Sequence, residues 1–361
     1  MYEQFNQPLL YEDGDKLLSR IENLIDTAQD EILISVYALQ PDRTGMRLAT
    51  ALKKAAKRHV RIRIVFDNVE IPADLTAKIL GDLEVAGIEA RVFRPLDAWL
   101  PFHPLAAACR NHVRLFVFDR RIIGLGSSSF EDAQQGRHDL FLFTPVTQPD
   151  AIVAYFEKLW ILAERSRIPQ ALGFPDGFLT EQDYKLIVTG PHRTDHEIYA
   201  WCLDRFSRAK RRISIATPFF FPDKRILKSL VSAHRRGVSV QIFTPLRTDK
   251  PRYDWFRVIP LPWLIRHGIT WYGTQKYFHA KFCIVDDAWM LGSANFDIIG
   301  TERNFELNAW GSDDGMREAL DRCIGAYKEN ASTAWSQSVP RHIKLLLAVF
   351  HGLAEIIFKL K

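Results

Sequence analysis

The stretch FHAKFCIVDDAWMLGSANFDIIGTERNFELN, residues 278–308, decides how this chain is read. His279, Lys281 and Asp286 stand in the spacing H-x-K-x4-D, and Gly292, Ser293, Asn295 and Glu306 follow. A related stretch, NHVRLFVFDRRIIGLGSSS (residues 111–129), lies in the first half. It carries His112, Arg114 and Asp119, then Gly126, Ser127 and Ser129. One histidine in a strand is ordinarily structural. Two histidine–cation–aspartate sets in repeated surroundings predict a single site made where two homologous halves meet.

The surroundings do repeat. KLLSRIENLIDTA (16–28) has helical periodicity and EILISVYAL (31–39) contains a strand-like run. GMRLATALKKAAKRH (45–59) is again helical, and VRIRIVF (60–66) is an alternating strand ending at Asp67. The second half has the same order in EIYAWCLDRFSRAK (197–210), RRISIATPFFF (211–221), DKRILKSLVSAHRRG (223–237) and VSVQIFTP (238–245). Each half then closes with its histidine-bearing strand. Strand–helix–strand units of this length imply a largely parallel sheet covered by helices. The divide falls in IPQALGFPDGFLTEQDY (168–184), rich in proline, glycine and acidic residues. Four segments are expected: halves at 1–170 and 188–335, a linker at 171–187 and a C-terminal amphipathic helix at 336–361.

On a strand, residues two apart project from the same side. His112 and Arg114 therefore share a face, as do His279 and Lys281. Such pairs suit attack on a phosphodiester. One neutral imidazole displaces an ester oxygen from phosphorus, while the other, protonated, donates to the leaving alcohol and later activates the acceptor. Arg114 and Lys281 would hold the non-bridging oxygens. Asn295 adds an amide donor, whereas Ser129 at the matching place offers only a hydroxyl. Ser127 and Ser293 are candidate substrate contacts. Glu306 is the expected orienting carboxylate for His279, and Asp139, in GRHDLFLF, for His112. Asp119 and Asp286 belong to the motif and either join the chemistry or support its turns. No metal or cofactor is required, and either histidine would serve as nucleophile.

These residues resemble the phospholipase D superfamily over nearly the whole chain, and within it bacterial phosphatidyltransferases of the cardiolipin synthase type. The likeness to phosphatidylserine synthases is more distant. The resemblance implies an α/β duplicated fold, with two mixed, largely parallel sheets flanked by helices and the active site between halves. It makes His112 the nucleophile and His279 the general acid/base. It also implies transfer from phosphatidylglycerol through a phosphatidyl-histidine. The alternatives are hydrolysis as a phospholipase D, a phosphatidylserine-synthase-like transfer, and a nucleic-acid phosphodiesterase. Arg114 and Ser129 depart from the usual lysine and asparagine of the first motif.

Composition agrees with an anionic partner without choosing one, since the formal charge is only +5. Cys109, Cys202, Cys283 and Cys323 have no paired ligand spacing, which favours packed thiols and a reducing compartment. MYEQFNQPLLYEDGDK at the start lacks a basic region followed by an apolar run, so no secretory signal is expected. No run approaches the length of a spanning helix. RHIKLLLAVFHGLAEIIFKLK (341–361) would instead lie on an anionic bilayer or pack onto the core. Aromatic, proline-bearing segments at 97–108 and 252–268 would form a lipid-entry rim, pack as loops, or stack on bases in the nucleic-acid alternative. Peripheral attachment on the cytoplasmic side of the bacterial inner membrane follows from this reading, and oligomeric state is not addressed by it.

Overall fold

The computed structural model describes residues 9–12, 14–67, 69–94, 109–132, 137–164, 184–192, 196–248, 254, 260–333 and 349. The aromatic segment 97–108, linker residues 171–183 and, apart from Val349, the C-terminal stretch 336–361 lie outside them. So does most of 252–259. Two large mixed sheets, of seven and eight strands, carry the fold. The chain divides into two compact units. The first comprises Met1–Glu197 together with Leu291–Ala294 and Glu302–Gly311; the second comprises Ile198–Met290, Asn295–Thr301 and Ser312–Lys361.

In the first unit the strands are β1 (Leu9–Tyr11), β2 (Glu31–Val36), β3 (Arg61–Phe66), β4 (Glu89–Val92), β5 (Leu115–Phe118), β6 (Ile122–Gly126) and β7 (Phe141–Pro145). They lie in the order β1-β7-β6-β5-β2-β3-β4. Only β2, β3 and β4 are mutually parallel; β5, β6, β7 and β1 join antiparallel. The parallel part is thus narrower than the repeat pattern predicts. The turn at Arg120 and Arg121 joins β5 to β6, and a connection that short permits only antiparallel pairing. One further pair, β8 (Lys185–Thr189) with β16 (Glu306–Gly311), is antiparallel and belongs to this unit.

Helices α1 (Gly14–Thr27), α2 (Arg43–Lys57) and α3 (Ala73–Val85) cover the sheet. Leu17, Leu18, Ile21, Leu24 and Ile25 form the buried stripe of α1 at helical spacing. They join a core with Phe116, Phe118, Phe141 and Phe143. Asp42 caps α2, its carboxylate accepting from Gly45 N at 2.9 Å. Helix α4 (Pro149–Glu164) brings Phe156 and Trp160 beside the guanidinium of Arg63, which it also ion-pairs through Glu157 at 2.6 Å.

The second unit repeats the plan. Its strands β9 (Arg212–Ala216), β11 (Ser239–Pro245), β12 (Thr270–Thr274), β13 (Phe282–Val285) and β17 (Ala331–Ser332) are ordered β17-β12-β11-β9-β13. β9, β11 and β12 are parallel, and β13 enters antiparallel to β9. Pro218 follows β9, and the apolar run resumes as a short β10 (Phe220–Phe221), paired with β15 (Phe296–Asp297). Helices α5 (Glu197–Arg208), α6 (Lys224–Arg235), α7 (Pro260–Arg266), α8 (Ile298–Glu302) and α9 (Asp314–Glu329) follow in sequence, and β14 (Ala288–Gly292) comes after β13 in the chain. Among the described residues no helix is long and apolar enough to cross a membrane. All four cysteines are free and buried, and burial pushes the Cys283 thiol well up, leaving it unreactive.

Asp119 and Asp286 do the same work in the two units. Asp119 accepts the backbone N–H groups of Gln29, Asp30 and Glu31 at 2.8–2.9 Å. Asp286 accepts those of Lys210, Arg211 and Arg212 at 2.8–3.0 Å. Each sits in a left-handed turn, at φ 47° and 52°, and pins the chain as it enters the first parallel strand. Burial alone would raise the Asp286 carboxyl, but the three N–H bonds overcome it and hold the group below its usual 3.8. A depressed folded-state value stabilises the fold above the unfolded value and loses that contribution as pH falls through the folded one. Asp286→Asn is therefore expected to cost about 1 kcal/mol at pH 7, partial exposure keeping it small. In chemical denaturation the gap from the parent should close as pH drops below about 4; a gap independent of pH would refute this role.

Candidate functional site

The strands β2 and β3 end at Val36 and Phe66, and a buried polar cluster lies just beyond those ends. Asp67 receives Arg110 through Nη2 at 2.7 Å and Nε at 3.0 Å, and the Asn111 backbone N–H at 2.8 Å. Burial pushes its carboxyl up to about 6 while Arg110 pulls it back. Asn111 Nδ2 donates to Ser35 Oγ at 3.0 Å. These contacts fix the chain as it delivers His112. On its other side, the His112 N–H donates to Phe305 O at 2.9 Å, and Phe305 N–H donates back to Arg110 O at 2.9 Å. Asp67, Arg110, Asn111 and Ser35 escape a motif search. The signal was Asp67 closing a buried strand, together with the Arg-Asn pair directly before His112.

The carboxylate against His112 is Glu306, with Oε1 3.0 Å from Nδ1 and no exposure. The sequence reading gives Glu306 to His279 and Asp139 to His112; the structure pairs Glu306 with His112 instead. Residues 302–311 fold into the first unit although they follow the second motif, so position in the repeat misassigns the carboxylate. Asp139 is buried and accepts Ser127 Oγ at 2.5 Å. Ser293 Oγ gives Glu306 Oε2 the same contact at 2.5 Å. Ser127 and Ser293 are wholly buried, and each hydroxyl also accepts a backbone N–H, from Leu140 and Leu307, at 3.0 Å. They hold carboxylates; they are not placed as substrate contacts. Their approach depends on the preceding glycines. A Cβ on Gly126 would collide with Leu140 O and lie 2.7 Å from Phe141 Cα; one on Gly292 would collide with Leu307 O and Asn308 Oδ1.

Arg114 is 1% exposed. Its Nη1 donates to His112 O at 2.8 Å and lies 3.1 Å from His112 Nδ1, and Nη2 donates to Ser129 Oγ at 3.2 Å. Burial lowers the guanidinium from its ordinary value, and the charges of Glu306 and Asp139 push it back up. Tyr37 meets the His112 ring edge-on at 4.7 Å and stands 5.6 Å from the Arg114 guanidinium. Burial first, then Glu70 and Asp67, push its phenol up, so it stays protonated.

Both Glu306 and Arg114 address His112 Nδ1, and their chemistry decides the tautomer. The guanidinium has other acceptors in His112 O and Ser129 Oγ, whereas the carboxylate requires a donor. Nδ1 therefore carries the proton, leaving the lone pair on Nε2.

In the second unit His279 and Lys281 are buried at 7% and 1% exposure. Lys281 Nζ donates to His279 O at 2.7 Å and lies 2.9 Å from Nε2. Asn295 is buried, and its Oδ1 has no protein partner among the described residues. Asp119 and Asp286 do not enter these clusters. Asp119 is seven residues from His112 across β5, roughly 20 Å of near-extended chain, and serves the turn already described.

Nitrogen-15 NMR should show His112 as the Nδ1–H tautomer, with that preference lost in Glu306→Gln; an Nε2–H ring in the parent would overturn the assignment. Gly126→Ala should lower stability by about 1–3 kcal/mol in denaturant titration, as expected of overpacking.

The family model described as "Cardiolipin synthase, PLD-like domain" matches residues 21–160 and 202–324, well over half of the chain. A cardiolipin synthase of Geobacillus sp. is 29% identical over 319 residues, covering 82% of this chain and 61% of the relative. Cardiolipin synthase B of Salmonella typhimurium is 27% identical over 328 residues, covering 85% and 76%. The chain thus spans about three-fifths of the Geobacillus relative's length. Among solved structures, phosphatidylserine synthase of Haemophilus influenzae superposes with a TM-score of 0.75 over 99% of this chain and 96% of that one. At 13% identity that likeness speaks for the fold alone. The duplicated sheets, the two histidine–cation clusters and the matched residues agree: the chain belongs to the phospholipase D-like family of cardiolipin synthase domains.

Proposed function

We propose that this chain is a membrane-peripheral phosphatidyltransferase of the cardiolipin synthase type, using phosphatidylglycerol on the cytoplasmic side of a bacterial inner membrane. The observation that supports it most is Glu306 on His112 Nδ1. That contact leaves Nε2 as the nucleophile and steadies the positive charge the ring acquires on attack.

Nε2 of His112 forms a bond to phosphorus, and the bond from phosphorus to the glycerol oxygen breaks. His279, protonated at this stage, donates to that oxygen and glycerol leaves. A hydroxyl of a second phosphatidylglycerol then attacks the same phosphorus while His279 takes its proton. The phosphorus–nitrogen bond breaks, and the product is cardiolipin with both histidines restored. Arg114 and Lys281 hold the non-bridging oxygens, where fixed N–H donors offset developing charge. Asn295, whose buried Oδ1 has no protein partner among the described residues, accepts from a substrate hydroxyl, while its amide N–H donates to phosphate.

The test is incubation of the protein with phosphatidylglycerol vesicles, following every lipid and polyol by mass spectrometry. Cardiolipin plus glycerol is expected, absent from His112→Ala and His279→Ala. Phosphatidic acid alone would reassign the enzyme to hydrolysis. Intact lipid would remove phosphatidylglycerol as sole substrate, and other acceptor alcohols and nucleic acid would be tried next. Glu306→Gln should lower kcat by about a hundredfold, the scale of losing an oriented proton-transfer group.

A further inference from the structure

The two halves solve one problem with different residues. Lys281 Nζ makes two contacts, with the carbonyl oxygen and a ring nitrogen of His279. Arg114 Nη1 makes the matching two with His112. Nη1 is thus the counterpart of the ammonium nitrogen. Arginine then has more to place: Nη2 extends to Ser129 Oγ at 3.2 Å. Ser129 stands three residues after Gly126, as Asn295 stands three after Gly292.

We propose that Arg114 and Ser129 act as a single unit replacing a lysine–asparagine pair, with Ser129 the positioning residue that sets the plane of the guanidinium. Lysine has three N–H donors and an asparagine amide two; arginine alone has five. The longer cation with the shorter hydroxyl keeps the combined reach, and Nη2 takes the place of the amide nitrogen. The Nε–H of Arg114 is buried with no protein partner among the described residues. A buried donor left unmatched is costly, and a phosphate oxygen held by the guanidinium edge would satisfy it. In the second unit the corresponding functions sit on two separate side chains. Ser129 therefore governs how firmly the first cation holds the phosphate as charge develops in the transition state.

The proposal rests on the phosphatidyl-transfer reading, and its experiment separates the two. Arg114→Lys, Ser129→Asn and the double variant form a double-mutant cycle, read both as kcat and KM on phosphatidylglycerol vesicles and as thermal midpoint. Arg114→Lys removes the Nη2–H donor that Ser129 Oγ accepts, and Ser129→Asn crowds the guanidinium. Each single change should lower kcat about tenfold with little change in KM, and the double variant should return to within about threefold of the parent. Ser129→Thr should keep most of the kcat that Ser129→Ala loses. Additive losses, or a Ser129→Ala enzyme with parental kcat, would overturn the proposal. Coupling in midpoint with additive rates would also overturn it, reducing the pair to packing. If the parent turns over no phosphatidyl lipid, the functional reading fails, and the cycle is read instead as the rise in thermal midpoint on adding inorganic phosphate: a non-additive rise supports the pairing and an additive one refutes it.

Discussion

An ionised carboxylate with no exposure to water is unstable unless its surroundings supply what water would have supplied. Glu306 meets that condition through His112 Nδ1 on one oxygen and Ser293 Oγ on the other. Much of the first unit follows from the requirement. Ser293 reaches the carboxylate because Gly292 lets the backbone at Leu307 come close. The Asn111–Phe305 bridge and the bond from His112 N–H to Phe305 O hold the imidazole at the right height. Arg110 and Asp67 anchor that segment to the end of β3.

The parallel strands separate two tasks by their ends. At the carboxyl ends of β2 and β3 lie the imidazole, the cation and the acids that orient them. At the amino end of β2 lies Asp119, spread over three backbone N–H groups. The same separation is repeated around β9, with Asp286 at its start. A motif of eight residues therefore contains both chemistry and scaffold, joined by an extended strand between them. Its aspartate is as much a part of the pattern as its histidine, for an unrelated physical reason.

The duplicated halves and the strand–helix order were legible, because each is written in local periodicity; the histidine–cation pairs meet as expected, but in the segments just before β5 and β13 and not on those strands. The helices at Gly14–Thr27 and Arg43–Lys57 and the strands at Glu31–Val36 and Arg61–Phe66 fall where the apolar spacing puts them, within a few residues. Roles that depend on distant partners were not legible. Glu306 follows the second motif in the chain yet serves the first histidine, and no spacing rule encodes that exchange. Ser127 and Ser293 have the character of phosphate contacts; only the clash awaiting a Cβ at Gly126 and Gly292 shows how tightly they are enclosed. Tyr37 had no signal beyond its place at the end of a buried strand.

The first unit is assembled from three separate stretches of chain, the last of them Glu302–Gly311. The bond from Arg110 N–H to Asn304 Oδ1 spans 194 residues. Contacts this remote form late, because the loop between them must close first. A polypeptide made from its amino end therefore presents His112 on the ribosome well before the acid that selects its tautomer has been translated. The partner of His112 Nδ1 therefore exists only once the chain has been made as far as residue 306, after most of the second repeat.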